Sequence, residues 1–329
     1  MWMRAGLLLA GVVLLQGARA EAPGEAPFLW RNSAPVAALF GLPRARTAAL
    51  PAAGELHADL LVELSSHFTS SLSPRESALI DGETTAVVAR FELGVAEHWA
   101  GSIELLGMHH GGGFLDGFVD HWHDWFGLPE GGRDAVRTGR LRMVWDAGGQ
   151  RRLLLEDSYT GPGDIRVGVG RSLHRSAARD VALRLDAELP VGRASRLTGS
   201  DGVDVALGVN LTERGAFTGL GLSSHVTLGV LRPAADDLLG DRMRDLAGFG
   251  HWTLLWPVTS RLTLKAQLDG HTELARSDLK QIGGWSLQGG LGGAWLVSPG
   301  LALEFAVYED LRPGSAADVS LQFALRGRY

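Results

Sequence analysis

The 329-residue chain has 45 glycines, 10 tryptophans and no cysteine, and its 31 basic and 37 acidic residues leave a net charge of −6. Without cysteine, an exported chain cannot rely on disulfides, and interspersed charges of both signs give no basic patch for nucleic acid. No apolar run after residue 15 is long enough for a membrane-spanning helix, and the high glycine content favours tight turns and close backbone contacts.

The N-terminal residues have the pattern of a cleaved secretory signal peptide. Arg4 precedes an apolar run over residues 5–15, and residues 18–20 supply the small-x-small sequence that signal peptidase recognises. A retained membrane helix is the alternative, but the run is far shorter than the roughly 20 residues such a helix needs. We therefore predict a signal peptide over residues 1–20 and an exported mature chain.

Residues 21–54 are rich in Ala and Pro and precede the first alternating segment. We predict an extended N-terminal segment that can fold into the interior of the protein as a plug. Residues 55–329 form the remaining predicted unit.

This remaining unit alternates apolar and polar residues with period two, the pattern of strands that have one face in lipid and one in a lumen. In residues 55–66, for example, Leu60 and Val62 lie on one face, and Asp59 and Glu63 on the other. The predicted strands are residues 55–66, 87–95, 99–109, 164–171, 180–189, 203–211, 216–231 (with an irregularity near Ser223), 248–258, 261–269, 285–297, 301–307 and 319–329.

The connections between these strands alternate between short and long. Short turns fall at residues 97–98, 174–179, 212–215, 257–260 and 298–300, and longer links at residues 67–83, 110–162, 190–202, 232–247, 273–284 and 310–318. Bacterial barrels have short periplasmic turns, longer outer loops and both termini inside. The sequence thus predicts an all-β fold, a closed antiparallel transmembrane β-barrel of twelve strands. Fourteen is the alternative, if residues 140–145 and 152–158 join the wall, but both are shorter than the roughly 9–11 residues of a spanning strand.

The ends of the strands indicate the outer membrane of a Gram-negative bacterium. Trp99, Trp252, Trp256 and Trp295 are expected near strand ends, where an interfacial aromatic girdle would lie. The last strand ends on the aromatic Tyr329, as in substrates of the outer-membrane assembly machinery. The expected partners are that machinery, outer-membrane lipid and lipopolysaccharide, and an unknown small molecule. A soluble β-sandwich, which also has short, evenly spaced strands, is the alternative.

The longest link contains a predicted short amphipathic helix at residues 115–126. Its acidic and histidine face, with the flanking polar residues, provides candidate ligand residues: His109, His110, Asp116, Asp120, His123 and Arg133. Such a face could bind a cation or ligand. Alternatively, the apolar face packs on the barrel mouth or lies in the membrane interface while the acids are solvated. Because the spacing matches no specific metal motif, we predict no metal or cofactor.

The polar faces of the strands give a set of candidate lumen residues with charges of both signs. They are Glu63, Arg90, Glu92, Glu104, Arg184, Asp186, Glu188, Lys265 and Glu304. Such charges can pair across a narrow barrel or line a polar path. A packed lumen and an open pore both remain possible from the sequence.

An outer-membrane hydrolase is a rival from another functional class. It would need a Ser or Thr nucleophile beside a His base. Ser223 and His225 share one strand face and are the best pair, followed by Ser65, Ser66 and His67. Residues two apart on a strand stand too far apart for a reliable hydrogen bond, so we predict no catalytic residues and no enzyme.

Several local sequences resemble a proteobacterial family known as domain of unknown function 3187. They are residues 28–32, Pro35, residues 40–43, the glycine-, histidine- and aspartate-rich residues 111–133, residues 163–165 and residues 308–310. The resemblance covers nearly the whole mature chain and implies an exported, barrel-like protein with no assigned activity. We predict a channel or transporter for a small solute or lipid-like molecule, with a closed structural envelope barrel as the alternative and a hydrolase third.

Overall fold

A closed antiparallel sheet of twelve wall strands dominates the computed structural model, which describes residues 21–115, 117, 125, 139–216, 220–234 and 238–329. The wall strands are β1 (Leu56–Leu72), β2 (Glu76–Ala96), β3 (Trp99–Gly111), β7 (Ile165–Arg175), β8 (Arg179–Leu189), β9 (Asp204–Ala216), β10 (Leu222–Arg232), β11 (Ala247–Pro257), β12 (Leu262–His271), β13 (Ser286–Ser298), β14 (Leu301–Asp310) and β15 (Val319–Arg328). Pairing of β1 with β15 closes the cylinder, which confirms the predicted twelve-strand barrel. The predicted signal peptide lies outside the described residues.

Three shorter strands lie in the long connection between β3 and β7. They are β4 (Arg142–Ala147), β5 (Gln150–Leu155) and β6 (Tyr159–Pro162). The β4–β5 hairpin pairs with residues 76–81 of β2, and β6 pairs with residues 107–110 of β3. These strands extend the sheet at the long-loop end without entering the closed ring, so the fourteen-strand alternative is wrong.

Two predicted connections are wrong because the wall strands continue through them. β1 and β2 stay paired as far as Leu72 and Ser77, so residues 67–83 form most of a hairpin instead of a long link. The polar residues of this hairpin do not alternate with apolar residues, because neither face of the sheet has to contact lipid there. The predicted turn at residues 212–215 lies inside β9, paired with β10. The expected irregularity near Ser223 is confirmed by a register shift between Leu222 and Ser223.

The two faces of the wall differ in polarity as the alternation predicts. On β12, the inward Lys265 is 3% exposed, whereas its outward neighbour Leu264 is 42% exposed. Other outward side chains with large exposed apolar surfaces are Leu60, Val87, Phe91, Ile103, Leu105, Leu207, Val209, Leu303, Phe305, Phe323 and Leu325. A continuous exposed apolar band is costly in water and matches the hydrocarbon-facing surface of a membrane barrel.

Exposed tryptophans mark the short-turn end of this band. Trp99 begins β3, while Trp256 and Trp295 lie near the ends of β11 and β13. Trp252, predicted to lie near a strand end, instead lies in the middle of β11, and its indole N–H donates to Ser224 Oγ at 3.2 Å. Indole rings prefer the membrane interface because they are apolar with one polar N–H.

Helical structure is sparse. The 3₁₀ turns are Pro23–Glu25, Ala37–Leu39, Ala194–Arg196 and Gly240–Arg242, and a helical turn covers Lys280–Gly283. In the described part of the chain, no helix is both long enough and apolar enough to cross a bilayer. The predicted helix at residues 115–126 falls mostly outside the described residues; its first residue, Leu115, is buried against Val319 and Leu321 of β15.

Two aspartates, the buried Asp164 and the half-buried Asp310, anchor two of the long loops. Asp164 Oδ1 accepts from the N–H groups of Val191 and Gly192 at 2.8 and 2.7 Å, and its Oδ2 accepts from Ser200 N at 2.9 Å. Burial raises the pKa of the Asp164 carboxyl, while these backbone donors oppose the rise. Asp310 similarly accepts from the backbone of residues 312, 315 and 316. Residues 163–165 and 308–310, two of the local sequences that carry the family resemblance, therefore have a structural role.

A glycine in the wall makes room for an inward aromatic ring. Gly290 of β13 lies opposite Tyr308 of β14, and a Cβ at position 290 would stand 2.3 Å from Tyr308 Cε1. The Tyr308 ring, 1% exposed, lies over the glycine backbone. Any larger residue at position 290 must displace this ring.

We expect Gly290→Ala to destabilise the barrel by about 1–3 kcal/mol, the usual cost of overpacking a close-packed contact. The check is the urea dependence of unfolding in detergent. Gly101→Ala is the matched control, because its new Cβ would meet nothing closer than Val95 Cγ1 at 3.9 Å. Equal stability of the two variants would contradict the assigned contact.

Candidate functional site

The lumen of the barrel is occupied by residues 21–54, which we call the luminal segment. All of it except residues 52–54 is buried or half-buried. Apart from two 3₁₀ turns it has no regular secondary structure, so wall side chains must satisfy many of its backbone groups. Lys265 Nζ, for example, donates to Ala26 O at 2.6 Å, and Gly41 N donates to Asp204 Oδ2 at 2.7 Å.

The luminal segment crosses the barrel twice. It starts at the short-turn end, where Glu21 Oε1 lies 3.6 Å from His225 Nε2. At the long-loop end, Asn32 Nδ2 lies 2.9 Å from His271 Nε2 and donates to Ser315 O at 3.0 Å. The chain then returns, and Gly54 N donates to Gly94 O near the short-turn end. We call residues 21–33 the outgoing limb and residues 41–54 the return limb.

The two limbs are hydrogen-bonded to each other. Ala45 N donates to Trp30 O at 3.1 Å, and Thr47 Oγ1 donates to Glu21 Oε2 at 2.6 Å. At the bend, Val36, Leu39 and Phe40 pack in an apolar cluster with Met143, Trp145 and other residues of the long-loop end. The segment therefore forms one folded unit inside the wall.

An aromatic stack fixes the outgoing limb. The Trp30 ring lies 4.0 Å from the Tyr308 ring, centroid to centroid, with only 10° between their planes. Phe28 meets the same tyrosine edge-on at 6.2 Å. Trp30 Nε1 donates to Gln288 Oε1 at 3.2 Å, which satisfies the polar end of the indole.

Arg44 fixes the return limb through wall carboxylates. Its Nη2 donates to Glu63 Oε2 at 3.1 Å, and its Nε donates to Glu104 Oε1, also at 3.1 Å. The Arg44 side chain is 2% exposed. Paired, charge-assisted hydrogen bonds of this kind are among the strongest available to a side chain.

The other two arginines of the luminal segment also bind wall carboxylates. Arg31 Nη1 lies 3.4 Å from Glu188 Oε1. Arg46 makes a two-pronged contact with Asp186, in which Nη1 donates to Oδ1 at 3.1 Å and Nη2 donates to Oδ2. Each cation of the segment is thus matched to an acid of the wall.

Further buried ion pairs lie among the wall residues, and all but Arg90–Glu92 join different strands. The pairs are Arg90 with Asp59 and Glu92, Arg184 with Glu92, Arg166 with Glu188, Lys265 with Glu304, and Arg326 with Asp59 and Glu304. Buried charges are tolerated only when paired and hydrogen-bonded. The network therefore constrains both the wall and its contents.

The structure buries all nine candidate lumen residues and brings them into this network. Sequence reasoning left out Asp59, Arg166 and Arg326, although alternation places each on an inward face. It also missed Arg31, Arg44 and Arg46, which have no periodic pattern to reveal them. The arginines that contact the wall most directly were therefore the least predictable.

The space left inside the barrel is small. A void of about 10 Å³ lies among Arg46, Asp59, Glu92 and their neighbours, and one of about 20 Å³ lies beside Arg44 and Glu63. A third, of about 90 Å³, lies at the short-turn mouth beside Glu21, Arg214 and Arg328. The first two hold one water at most.

The two candidate ligand residues that the structure describes, His109 and His110, point to opposite faces of the wall. His110 points inward, where Nδ1 lies 2.9 Å from Thr84 Oγ1 and Nε2 lies 3.1 Å from Leu197 O. His109 points outward, with Nδ1 2.8 Å from Thr160 Oγ1. Asp116, Asp120, His123 and Arg133 lie outside the described residues. Within the described ranges, no three His, Asp or Glu side chains are placed to hold a metal ion.

The candidate hydrolase pairs have other partners. His225 Nδ1 lies 3.0 Å from Thr212 Oγ1, and in the described part of the chain no hydrogen bond joins it to Ser223. Ser65 donates to Ser33 Oγ at 2.8 Å, and His67 Nε2 lies 3.0 Å from Thr84 Oγ1. In these contacts each imidazole lies beside a threonine hydroxyl and not beside Ser223 or Ser65.

A closed twelve-strand wall with an apolar exterior and a filled, ionic interior defines the outer-membrane type of β-barrel. The chain belongs to the family described as protein of unknown function (DUF3187), whose model matches residues 4–329, and this confirms the resemblance seen in the sequence. A search of curated proteins found no match.

The chain is structurally similar to several solved proteins. The COG4313 outer membrane channel from Pseudomonas putida F1 has a TM-score of 0.55 at 11% identity, over 85% of this chain and 97% of that chain. The NanC porin has a TM-score of 0.47 at 12% identity, over 82% of this chain and 97% of that chain. The Pseudomonas putida toluene transporter TodX has a TM-score of 0.39 at 11% identity, over 95% of this chain and 96% of that chain. At these identities, the likeness to the first of them establishes the fold alone.

We expect Arg44→Gln to destabilise the barrel by about 3–5 kcal/mol, because it leaves Glu63 and Glu104 buried without their cation. Glu63→Gln should also destabilise the barrel. The double variant should lose less free energy of unfolding than the sum of the losses of the two single variants. Urea unfolding in detergent measures all three.

Arg179→Gln is the control for this cycle, since the Arg179–Glu213 pair is exposed and should contribute little. Strict additivity of the Arg44 and Glu63 variants would contradict the coupling assigned to this pair.

Proposed function

We propose that this chain is an outer-membrane channel in which residues 21–54 act as a movable plug. One observation carries the proposal: a separate stretch of chain fills the lumen, and each of its three arginines forms an ion pair with a wall carboxylate. A wall that packed its own apolar side chains inward would leave no passage. Here the wall encloses a space wide enough for two passes of polypeptide.

The polarity of the contact supports movement of the segment. Side chains such as Glu63, Glu104 and Asp186 are already charged, so water can replace the segment's arginines when it moves. The bend at residues 34–40, by contrast, packs in an apolar cluster. We infer that the ionic limbs separate from the wall at lower cost than this apolar cap.

The exterior and the fold relatives support the membrane and the class of activity. The apolar band with its tryptophans fits an outer membrane containing lipid and lipopolysaccharide. The COG4313 protein, which has the same fold, is described as an outer membrane channel. We extend that description to this chain as part of the proposal, with a small solute as cargo.

A closed structural barrel is the second candidate, and the small volume of the internal voids favours it. In such a protein the luminal segment would be a permanent core. The two candidates differ in a single property, which is whether the segment leaves the lumen.

A disulfide can test this property, because the chain contains no cysteine of its own. Thr47 Oγ1 of the return limb lies 3.1 Å from Thr212 Oγ1 of β9, so T47C/T212C places two thiols within bonding reach. In planar bilayers the wild-type chain should show stepwise openings. Oxidised T47C/T212C should stay closed and recover its openings in a reductant.

R179C/E213C is the matched control, since these exposed residues are cross-strand partners on β8 and β9. That disulfide joins wall to wall and should leave openings unchanged in either redox state. Resistance to unfolding by SDS without heating confirms that each variant has folded. A folded, inserted wild-type chain without openings would support the structural barrel instead.

A further inference from the structure

We infer that the open lumen selects cations, and that its wall contains a subsite for organic cations with a guanidinium or amine group. The inference rests on the proposed function, since it describes the channel after the luminal segment has moved. In the closed state the arginines of the segment occupy this subsite.

The wall carries more buried acid than base. Among the described residues, its inward buried cations are Arg90, Arg166, Arg184, Lys265 and Arg326, and its inward buried carboxylates in ion pairs include Asp59, Glu63, Glu92, Glu104, Asp186, Glu188 and Glu304. The luminal segment contributes Arg31, Arg44 and Arg46, each of which contacts a wall carboxylate, and two acids of its own, Glu21 and Glu25. The segment therefore supplies cations that the wall lacks.

Three wall acids have their direct ion-pair partners in the segment. Across the described residues, the cationic groups within 4.0 Å of Glu63, Glu104 and Asp186 belong to Arg44 and Arg46 alone. The other wall acids in ion pairs with cations, such as Asp59 and Glu304, keep wall partners when the segment leaves. An emptied lumen thus leaves these three carboxylates without a direct ion pair, although Arg90 and Arg166 remain as the cross-strand neighbours of Glu104.

These three acids lie on one side of the barrel. Glu63 is on β1, Glu104 on β3 and Asp186 on β8, within a run of five neighbouring wall strands. A narrow, low-dielectric lumen concentrates the field of such a patch and raises the local concentration of counter-ions. Cations should therefore enter more readily than anions.

The contacts of Arg44 define the chemistry of the subsite. Two wall carboxylates, those of Glu63 and Glu104, accept from different N–H groups of one guanidinium. Gln322 Nε2 donates to Glu63 Oε1 at 2.9 Å and orients that carboxylate from the wall. A planar cation with several donors matches this arrangement better than a spherical ion does.

The test measures the reversal potential of single openings in a KCl gradient. The openings of the wild-type chain should have a reversal potential near the potassium potential. The same holds for the full-length R44Q/R46Q variant, in which the segment is held less tightly. Adding E63Q/E104Q/D186N should shift the reversal potential toward zero. E213Q, which removes an exposed acid, should leave it unchanged.

Methylguanidinium serves as the probe of the subsite. It should block potassium current through R44Q/R46Q in a voltage-dependent manner and lose that block when Glu63 and Glu104 are also replaced by Gln. Openings that reverse at zero or near the chloride potential would overturn the cation subsite while leaving the channel intact. Silent, folded wild-type and R44Q/R46Q barrels would overturn the channel itself, and the subsite with it.

Discussion

The contact between buried guanidinium groups and buried carboxylates is the interaction on which the rest of this structure depends. A cylinder with lipid outside cannot place its polar residues on the exterior, so the alternating strands direct their charges inward. Those charges require partners in a space with little water. Wall cations meet part of this requirement, and Arg31, Arg44 and Arg46 of the luminal segment meet the remainder.

This requirement gives the protein an interior unlike that of a soluble domain. The wall is apolar outside and ionic inside, and the luminal segment fills it without forming a sheet or long helix. Apolar packing is concentrated at the long-loop end, where Phe40 and Trp145 belong to one cluster. Smaller apolar clusters join the two limbs to the wall, at Leu29, at Phe28 with Trp30, and at Ala48 with Leu50.

The wall was largely predictable from the sequence, because lipid and lumen impose opposite polarities on successive residues. Strand limits were less predictable where β1 and β2 extend beyond the lipid and lose alternation. His109 and His110 point to opposite faces of the sheet, as the same period-two rule requires, although the sequence analysis placed both among the candidate ligand residues. The path of residues 21–54 was beyond such reasoning, since its contacts join residues far apart in the chain and follow no repeat.

The double crossing of the lumen has a topological consequence for assembly. Both ends of the luminal segment lie at the same mouth of the cylinder, beside His225 at its start and Gly94 at its finish. A loop with this geometry can enter or leave a completed ring without threading a free terminus and without forming a knot. Closure of the ring between its first and last strands therefore need not wait for the interior to be filled.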